Sequence, residues 1–560
     1  MTSDAKGEKG AMKRVLIIAF EFPPLASGGV MRCTKYVKYL RDCGWEPIVL
    51  TVDESAHGAS MVDRRLLGEL PGDIEIHRTP YTDFDALFNR EVQSSTLLRI
   101  YLSMDAGFPG IFGFAKPDKN ITWYPAALKK AKEILSKETV GLVYTDSPPN
   151  SSALLGYQLK ALFGIPWIAD FRDPWSLDEL AYENLGPGYH QRARDLDRTL
   201  EKIILEKCDQ LIVVSEKLKK NYVEQLGLPA GQISVIRDGY DEDDFRHVTP
   251  RRDTDGEFFK IKYMGSFYGS YNPSVFLQAL YKIITEHNIA DIRLHIIGHG
   301  SKWLRQHMGE LNLHRLEPFI KTEEHMDMKQ CLARMLDSDL LLAISPTDID
   351  YNVPQKIYTY MKIGVPIFAV MPENGEAASV IKASGAGYVV DSKSIDQVGK
   401  KLHELYLAWK TDALDHKPDI DFIAGFDKRK LTGQLSNLFN CICGQKSTAV
   451  DEMNHEGQTL YRQSKFREAL NTFQRALEIN PSSTETLNNL GVVYFQLNRY
   501  DSALACLIKA LEIKPMDRDA LLNTYQLYRA LDLKNDAKDI LEKIREWFGD
   551  NELAGIEETL

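Results

Sequence analysis

In PWIADFRDPW, Asp170, Arg172 and Asp173 stand at the end of an apolar run. Two carboxylates and a guanidinium at a buried strand end seldom serve packing alone, because each charge is costly to desolvate. They point either to a polar cleft at that strand end or to an inward Arg172–Asp173 pair that braces the loop. Thr145-Asp146-Ser147 closes the preceding apolar run and lines the same cleft on this reading. In EFPPLASGGVMR, Gly28 and Gly29 stand where a helix begins. Backbone N–H groups exposed there, with the helix dipole behind them, suit an anion; the same pair also serves as a plain turn. The spacing is not GxGxxG, which argues against a dinucleotide site. Asp241-Glu242-Asp243-Asp244 offers the hard oxygens that cations favour. It follows Gly239-Tyr240, however, where acids solvate a turn or cap a helix, so no metal is expected. His299 and the other histidines form no i, i+4 pair, and Ser215 before Glu216 reads as a helix N-cap rather than a nucleophile.

These groups need elements that end side by side. RVLIIAF (14–20), EPIVLT (46–51), GLVYT (141–145), PWIAD (166–170) and QLIVV (210–214) are continuous apolar runs, as parallel strands buried on both faces require. A second series, KIKYMG, DIRLHIIG, SDLLLAI, PIFAV and GYVV, follows a polar linker at 246–257, with helical patterns between the runs. The fold class is α/β: two Rossmann-like doubly wound domains in tandem, followed by an all-α tail. In such sheets ligands bind outside the carboxyl ends of the strands. Residues 97–114, LLRIYLSMDAGFPGIFGF, fit neither pattern. They read as a buried insertion, or as a flap that lines an acceptor site or dips into lipid headgroups near Lys129, Lys130 and Lys132.

The tail carries a 34-residue period: Gly457 and Gly491, Ala469 and Ala503, Ala503 and Ala537, Pro481 and Pro515. Small residues that let antiparallel helices approach, large ones that fill between them and a terminal proline are the tetratricopeptide signature. The third copy has Tyr525 for the glycine and lacks the proline, as a capping repeat does. Stacked repeats present a concave surface to a protein partner.

Composition narrows the function classes. Of 560 residues 44% are hydrophobic and 26% charged, which excludes wholesale disorder. The net charge of −11 argues against nonspecific nucleic-acid binding. The 7 cysteines are scattered without zinc spacing, as reduced thiols of a cytosolic protein are. MTSDAKGEKGAMKR lacks a signal-peptide core, and the apolar runs are too short to span a bilayer.

FEFPPLASGGVMR, SPPNSSALLGYQLKALFGIPWIADFRDPW, IRDGYDEDDF, MGSFYGSYNP, VPQKIYTYMKIGVPIFAV and GEAASVIKASGAGYVV, in this order, resemble a bacterial GT-B glycosyltransferase of the family 4 type over residues 12 to 440. The resemblance implies transfer of a sugar from a nucleotide donor to a saccharide or lipid-linked acceptor, with retention and no metal or other cofactor. It implies an acceptor domain over 12–245, a donor domain over 258–412, a closing helical segment over 413–445 that packs back on the first domain, and repeats over 448–549. Lys356 would meet the diphosphate, or else be a solvated helix lysine. Gly265, Ser266, Phe267, Tyr358, Gly375 and Glu376 would line the donor, while Asp170, Arg172 and Asp173 would act from the acceptor side. Two positions depart from the family: Thr359 and Tyr351 stand where relatives carry glutamates. A threonine cannot make the paired, charge-assisted contact of a carboxylate with ribose hydroxyls; Glu376 would compensate. The expected protein is a cytoplasmic enzyme of cell-surface glycan synthesis, peripheral to the membrane, with a protein partner on its repeats. The alternatives are a catalytically degenerate scaffold working through those repeats, or a protein glycosyltransferase.

Overall fold

A computed structural model of the chain describes residues 12–548 apart from 27, 55–61, 82–116, 178–186, 251–257, 268–270, 299–300, 325, 348 and 481–482. The 97–114 stretch, His299 and most of the linker therefore lie outside the described residues. The first lobe is a parallel sheet of β1 (Lys13–Ile18), β2 (Trp45–Val52), β3 (Glu75–Thr79), β4 (Leu142–Ser147), β5 (Trp167–Phe171), β6 (Gln210–Val213) and β7 (Ile233–Val235), in the order β3-β2-β1-β4-β5-β6-β7. Leu16, Ile18, Ile48 and Leu50 face one buried layer, and Val15, Ile17 and Val49 face the other. This two-sided burial is why β1, β4 and β5 read as unbroken apolar runs. The second lobe is a parallel sheet of β8 (Phe259–Met264), β9 (Ile292–Ile297), β10 (Ile320–Glu323), β11 (Leu340–Ile344), β12 (Ile367–Val370) and β13 (Gly387–Val390), in the order β10-β9-β8-β11-β12-β13. In both sheets the strand order reverses beside the first strand, the switch point at which such folds take ligands.

The helix Lys428–Arg462 runs 35 residues without a break. It begins against the first lobe, burying Leu431, Leu435 and Phe439 beside Val15, Ile17 and Tyr36. It ends as the first helix of the repeats, where Asn454 Oδ1 accepts from Thr486 Oγ1 at 2.9 Å. The boundary expected near 446 thus falls inside one helix, since CICGQKSTAV holds no proline to stop it. The helices Phe466–Ile479, Thr484–Gln496, Tyr500–Ile513, Arg518–Ala530 and Lys534–Phe548 follow. A Cβ on Gly457 would lie 2.5 Å from the Phe473 ring, and one on Gly491 2.7 Å from Leu507. Close helix approach accounts for the 34-residue recurrence of glycine. Among the described residues no helix is long and apolar enough to cross a membrane.

Candidate active site between the two lobes

The loops that leave the carboxyl ends of the two sheets touch each other. Ser215, just after β6, caps its helix by accepting from the Leu218 N–H (3.0 Å), and its hydroxyl donates to the Tyr351 carbonyl (2.6 Å). Lys217 pairs with Asp350 at 2.5 Å, and Arg237, just after β7, pairs with Glu376 at 2.5 Å. Asp350 and Tyr351 lie beyond β11, and Glu376 lies beyond β12. The strand ends of one sheet therefore face those of the other at the lobe junction.

On the second lobe the cleft holds an ammonium group with no carboxylate partner among the described residues. Lys356, in the first turn of the helix Gln355–Ile363, donates to Tyr263 Oη at 2.8 Å and sits 4.1 Å from the centroid of that ring. Burial pulls its pKa down to about 7. Gly265 follows β8 with φ 124°, and a Cβ there would come within 2.9 Å of Lys356 Nζ. Only glycine combines that backbone with that approach. Phe267 stacks on Tyr263 at 4.2 Å, and the Ser266 carbonyl accepts from Tyr263 Oη at 3.4 Å. Lys356, Gly265, Ser266 and Phe267 are thus brought together, around a tyrosine that sequence reasoning passed over as part of a strand.

The other residues expected to line the donor sit differently. Tyr358 is fully buried, its ring 5.0 Å from Phe426, so it belongs to the core beneath the helix rather than to an open surface. Thr359 is buried at the lobe junction and lines a gap of about 10 Å³, too small for more than a water, with Lys35, Tyr240, Asp241 and Lys428. Gly375 is buried, its N–H donating to Pro372. Glu376 spends its charge on Arg237 of the first lobe, so it does not replace the missing glutamate in this arrangement. Arg237 lay within the quoted IRDGYDEDDF motif, but nothing local marks its partner 139 positions away.

On the first lobe Asp170 is a brace. Its carboxylate is fully buried and accepts from Arg32 Nε (2.9 Å), Arg32 Nη2 (3.2 Å) and Tyr144 Oη (2.5 Å). Arg32 also donates to the carbonyls of Ile236 (2.9 Å) and Arg237 (3.2 Å), tying β5 to the crossing point of the chain. Arg172 donates through Nε to Asp173 at 3.2 Å, the bracing pair weighed above, while its Nη1 is buried without a partner. Gly28 is open to solvent, whereas a Cβ on Gly29 would fall 1.9 Å from Glu21 Oε2 and 2.3 Å from Arg172 Nη1. Gly29 thus makes room for side chains rather than for a phosphate alone.

Beside this brace, buried polar atoms go unsatisfied. Both oxygens of Asp146, the hydroxyls of Ser147 and Ser152, Nη1 of Arg172 and Nε1 of Trp175 find no hydrogen-bond partner among the described residues. Asp146 and Ser147 close β4, Ser152 opens the helix Ser151–Phe163 after it, and Arg172 and Trp175 follow β5. Leaving such a group unpaired costs about 1–3 kcal/mol, which sets these buried positions apart from the paired charges around them. Burial pushes the Asp146 carboxyl up to about 7; the Arg172 charge pulls against the shift and Asp170 adds to it.

The acidic run is neutralised from within. Glu69, Asp241 and Asp244 bring oxygens within 4.8 Å of one another, yet the buried Lys35 Nζ lies 2.8, 2.6 and 2.9 Å from the three. Lys38 adds a second ammonium at 2.8 Å from Asp241, which also caps the short helix Glu242–Phe245. Burial opposes the Asp241 charge, but these lysines overcome it and hold the carboxyl below the usual range. Nearby, the buried Lys428 is paired with Asp238, fixing the start of the long helix.

Residues 26–244 match the model of glycosyltransferase family 4, and residues 246–413 match that of glycosyl transferases group 1. The chain carries the two lobes of a family 4-type glycosyltransferase. Tetratricopeptide models match residues 457–498 and 484–517 behind that GT-B body. Among solved structures, a glycosyltransferase from Rickettsia africae is 18% identical with a TM-score of 0.52, over 77% of this chain and 98% of that one. The N-terminal domain of Candida albicans trehalose-6-phosphate phosphatase is 12% identical with a TM-score of 0.51, over 78% and 98%. These likenesses concern the fold. A sequence comparison with curated proteins gives no match.

Proposed function

We propose that the protein moves a sugar from a nucleotide-sugar donor to a saccharide or lipid-linked acceptor, with retention and without a metal. One observation carries this reading: the two opposed strand-end clusters are complementary in chemistry. The second lobe offers an unpaired ammonium over a glycine, suited to the charge that grows on a departing nucleoside diphosphate. The first offers unsatisfied hydroxyls, a carboxyl and a guanidinium nitrogen, suited to a polyhydroxylated acceptor. The repeats recruit a protein of the glycan-assembly machinery, and the enzyme works in the cytoplasm at the inner membrane face.

Calorimetry with UDP, GDP, ADP and CMP, together with hydrolysis of their glucose, N-acetylglucosamine, mannose and sialic acid conjugates, tests the reading. Binding of one nucleotide and slow release of its sugar are expected, and early proton NMR of the released anomer reads the stereochemistry. The scaffold reading draws on Glu376 and Tyr351 being held by Arg237 and Ser215 of the opposite lobe; it predicts no nucleotide binding at all.

A further inference from the structure

Lysines that pack against the first lobe rest on carboxylates: Lys35 on Glu69, Asp241 and Asp244, Lys38 on Asp241 and Asp243, and Lys428 on Asp238. Lys356 rests on Tyr263 instead. Its Nζ donates to the phenol oxygen at 2.8 Å and lies 4.1 Å from the ring centroid, close enough for the ring face to attract the charge. Tyr263 is itself fixed. It is fully buried on β8, its ring stacks on Phe267 at 4.2 Å with 19° between the planes, and its hydroxyl donates to the Ser266 carbonyl at 3.4 Å. With the hydrogen directed there, the oxygen is left to accept. The ammonium is thereby held above Gly265, where a Cβ would come within 2.9 Å of it. Lys356, Gly265 and Ser266 are each half-buried, so this group borders solvent.

We infer that Tyr263 is a positioning residue for the donor diphosphate: it holds the Lys356 ammonium above Gly265 without cancelling its charge. The inference rests on the transferase reading above and adds a residue to it. Tyr263 is not a catalytic residue on this account, since it lies in the core and acts through the lysine. A flexible lysine loses side-chain freedom when it closes on a ligand, and that loss weakens binding. Here the side chain is ordered before an anion arrives. A carboxylate in place of the phenol would order it equally well, but would compete with phosphate for the same charge. A phenylalanine would keep the ring and lose the accepting oxygen. The phenol orders the ammonium and stays neutral. Its oxygen also favours the charged form of the lysine, against the burial that pulls the proton off. Besides Tyr263, the backbone of Gly265 and Ser266 faces the ammonium, and among the described residues no carboxylate pairs with it.

The test is a double-mutant cycle on the full chain, read by calorimetry with UDP, GDP and ADP. Tyr263→Phe keeps the ring and its stack on Phe267 and removes only the oxygen. Affinity for the nucleotide that binds should fall roughly 5- to 10-fold at pH 7. In a Lys356→Ala background the same change should matter less than about twofold, because the lysine through which Tyr263 acts is gone. The pH above which affinity declines should also move down in Tyr263→Phe, since the ammonium has lost an acceptor, and the gap from wild type should narrow at pH 6. An equal loss in both backgrounds, with an unmoved pH profile, would make Tyr263 a core residue only and overturn the inference. Unchanged affinity in Tyr263→Phe, or in Lys356→Ala, would overturn it while wild-type binding leaves the transferase reading intact. If the wild-type chain neither binds a nucleotide nor hydrolyses a nucleotide sugar, the transferase reading falls, and this assignment with it.

Discussion

The two sides of the cleft differ in how they handle charge. The charges of the first lobe are largely paired: Arg32 with Asp170, Lys35 and Lys38 with Glu69, Asp241, Asp243 and Asp244, Lys428 with Asp238. Against that neutralised background, Asp146 and Arg172 Nη1 stand out because they are not satisfied. On the second lobe Lys356 has no carboxylate partner among the described residues; its neighbour is a neutral phenol. Ion pairs on the first lobe fix geometry, and the cation on the second lobe has no carboxylate beside it among the described residues. Charge that is already paired builds the site; charge left unpaired, on either side, is what a substrate would meet.

The strongest way to break this contrast is to unpair the first lobe. Asp170→Ala leaves Arg32 buried and uncompensated and should destabilise the first lobe by about 3–5 kcal/mol, read by chemical denaturation. A smaller effect of up to about 4 kcal/mol comes from Asp146, whose carboxyl sits near 7 folded and near 3.8 unfolded. The folded state holds the proton more tightly, so this contribution is present below the unfolded value and lost as pH rises from about 4 through 7. Melting curves of Asp146→Asn should lack that decline and show a more stable protein at pH 8; an unchanged slope would contradict the buried, unpaired carboxyl. On the donor side, Lys356→Ala should weaken nucleoside diphosphate binding by about 1.5–3 kcal/mol in calorimetry. Because the empty lysine titrates near 7, wild-type affinity should fall between pH 7 and 9 and binding should take up a proton there. The smallest change is Gly29→Ala. Its methyl displaces the flexible ends of Glu21 and Arg172, so stability should drop by about 1 kcal/mol or less while turnover falls more steeply.

Much of the fold was legible because buried parallel strands leave unbroken apolar runs. The strands that sequence reasoning missed are those without such runs. EIHRT of β3 and IKTE of β10 lie at sheet edges, half exposed, and ISV of β7 is three residues long. Placement was legible where it depends on neighbouring residues: Lys356 stands at a helix start, Gly265 at a strand end and Gly29 before a helix, as expected. It was illegible where meaning depends on distant partners. Asp170 invites a catalytic role in PWIADF, yet Arg32, 138 positions earlier, takes it. Glu376 invites a ribose, yet Arg237 of the other lobe holds it. Thr145-Asp146-Ser147 was legible as a polar strand end, but that Asp146 lacks a partner is a property of the folded neighbourhood and not of a motif.

The helix Lys428–Arg462 has one more consequence. At about 1.5 Å per residue it is a rod of about 52 Å, anchored at its start by the buried Lys428 and merging at its end into the repeats. Whatever docks on the tail is therefore held at a set bearing and range from the first lobe. Lengthening that rod by two residues would rotate the tail by over half a turn, and so reorient anything bound to the repeats without touching a single group of the two lobes.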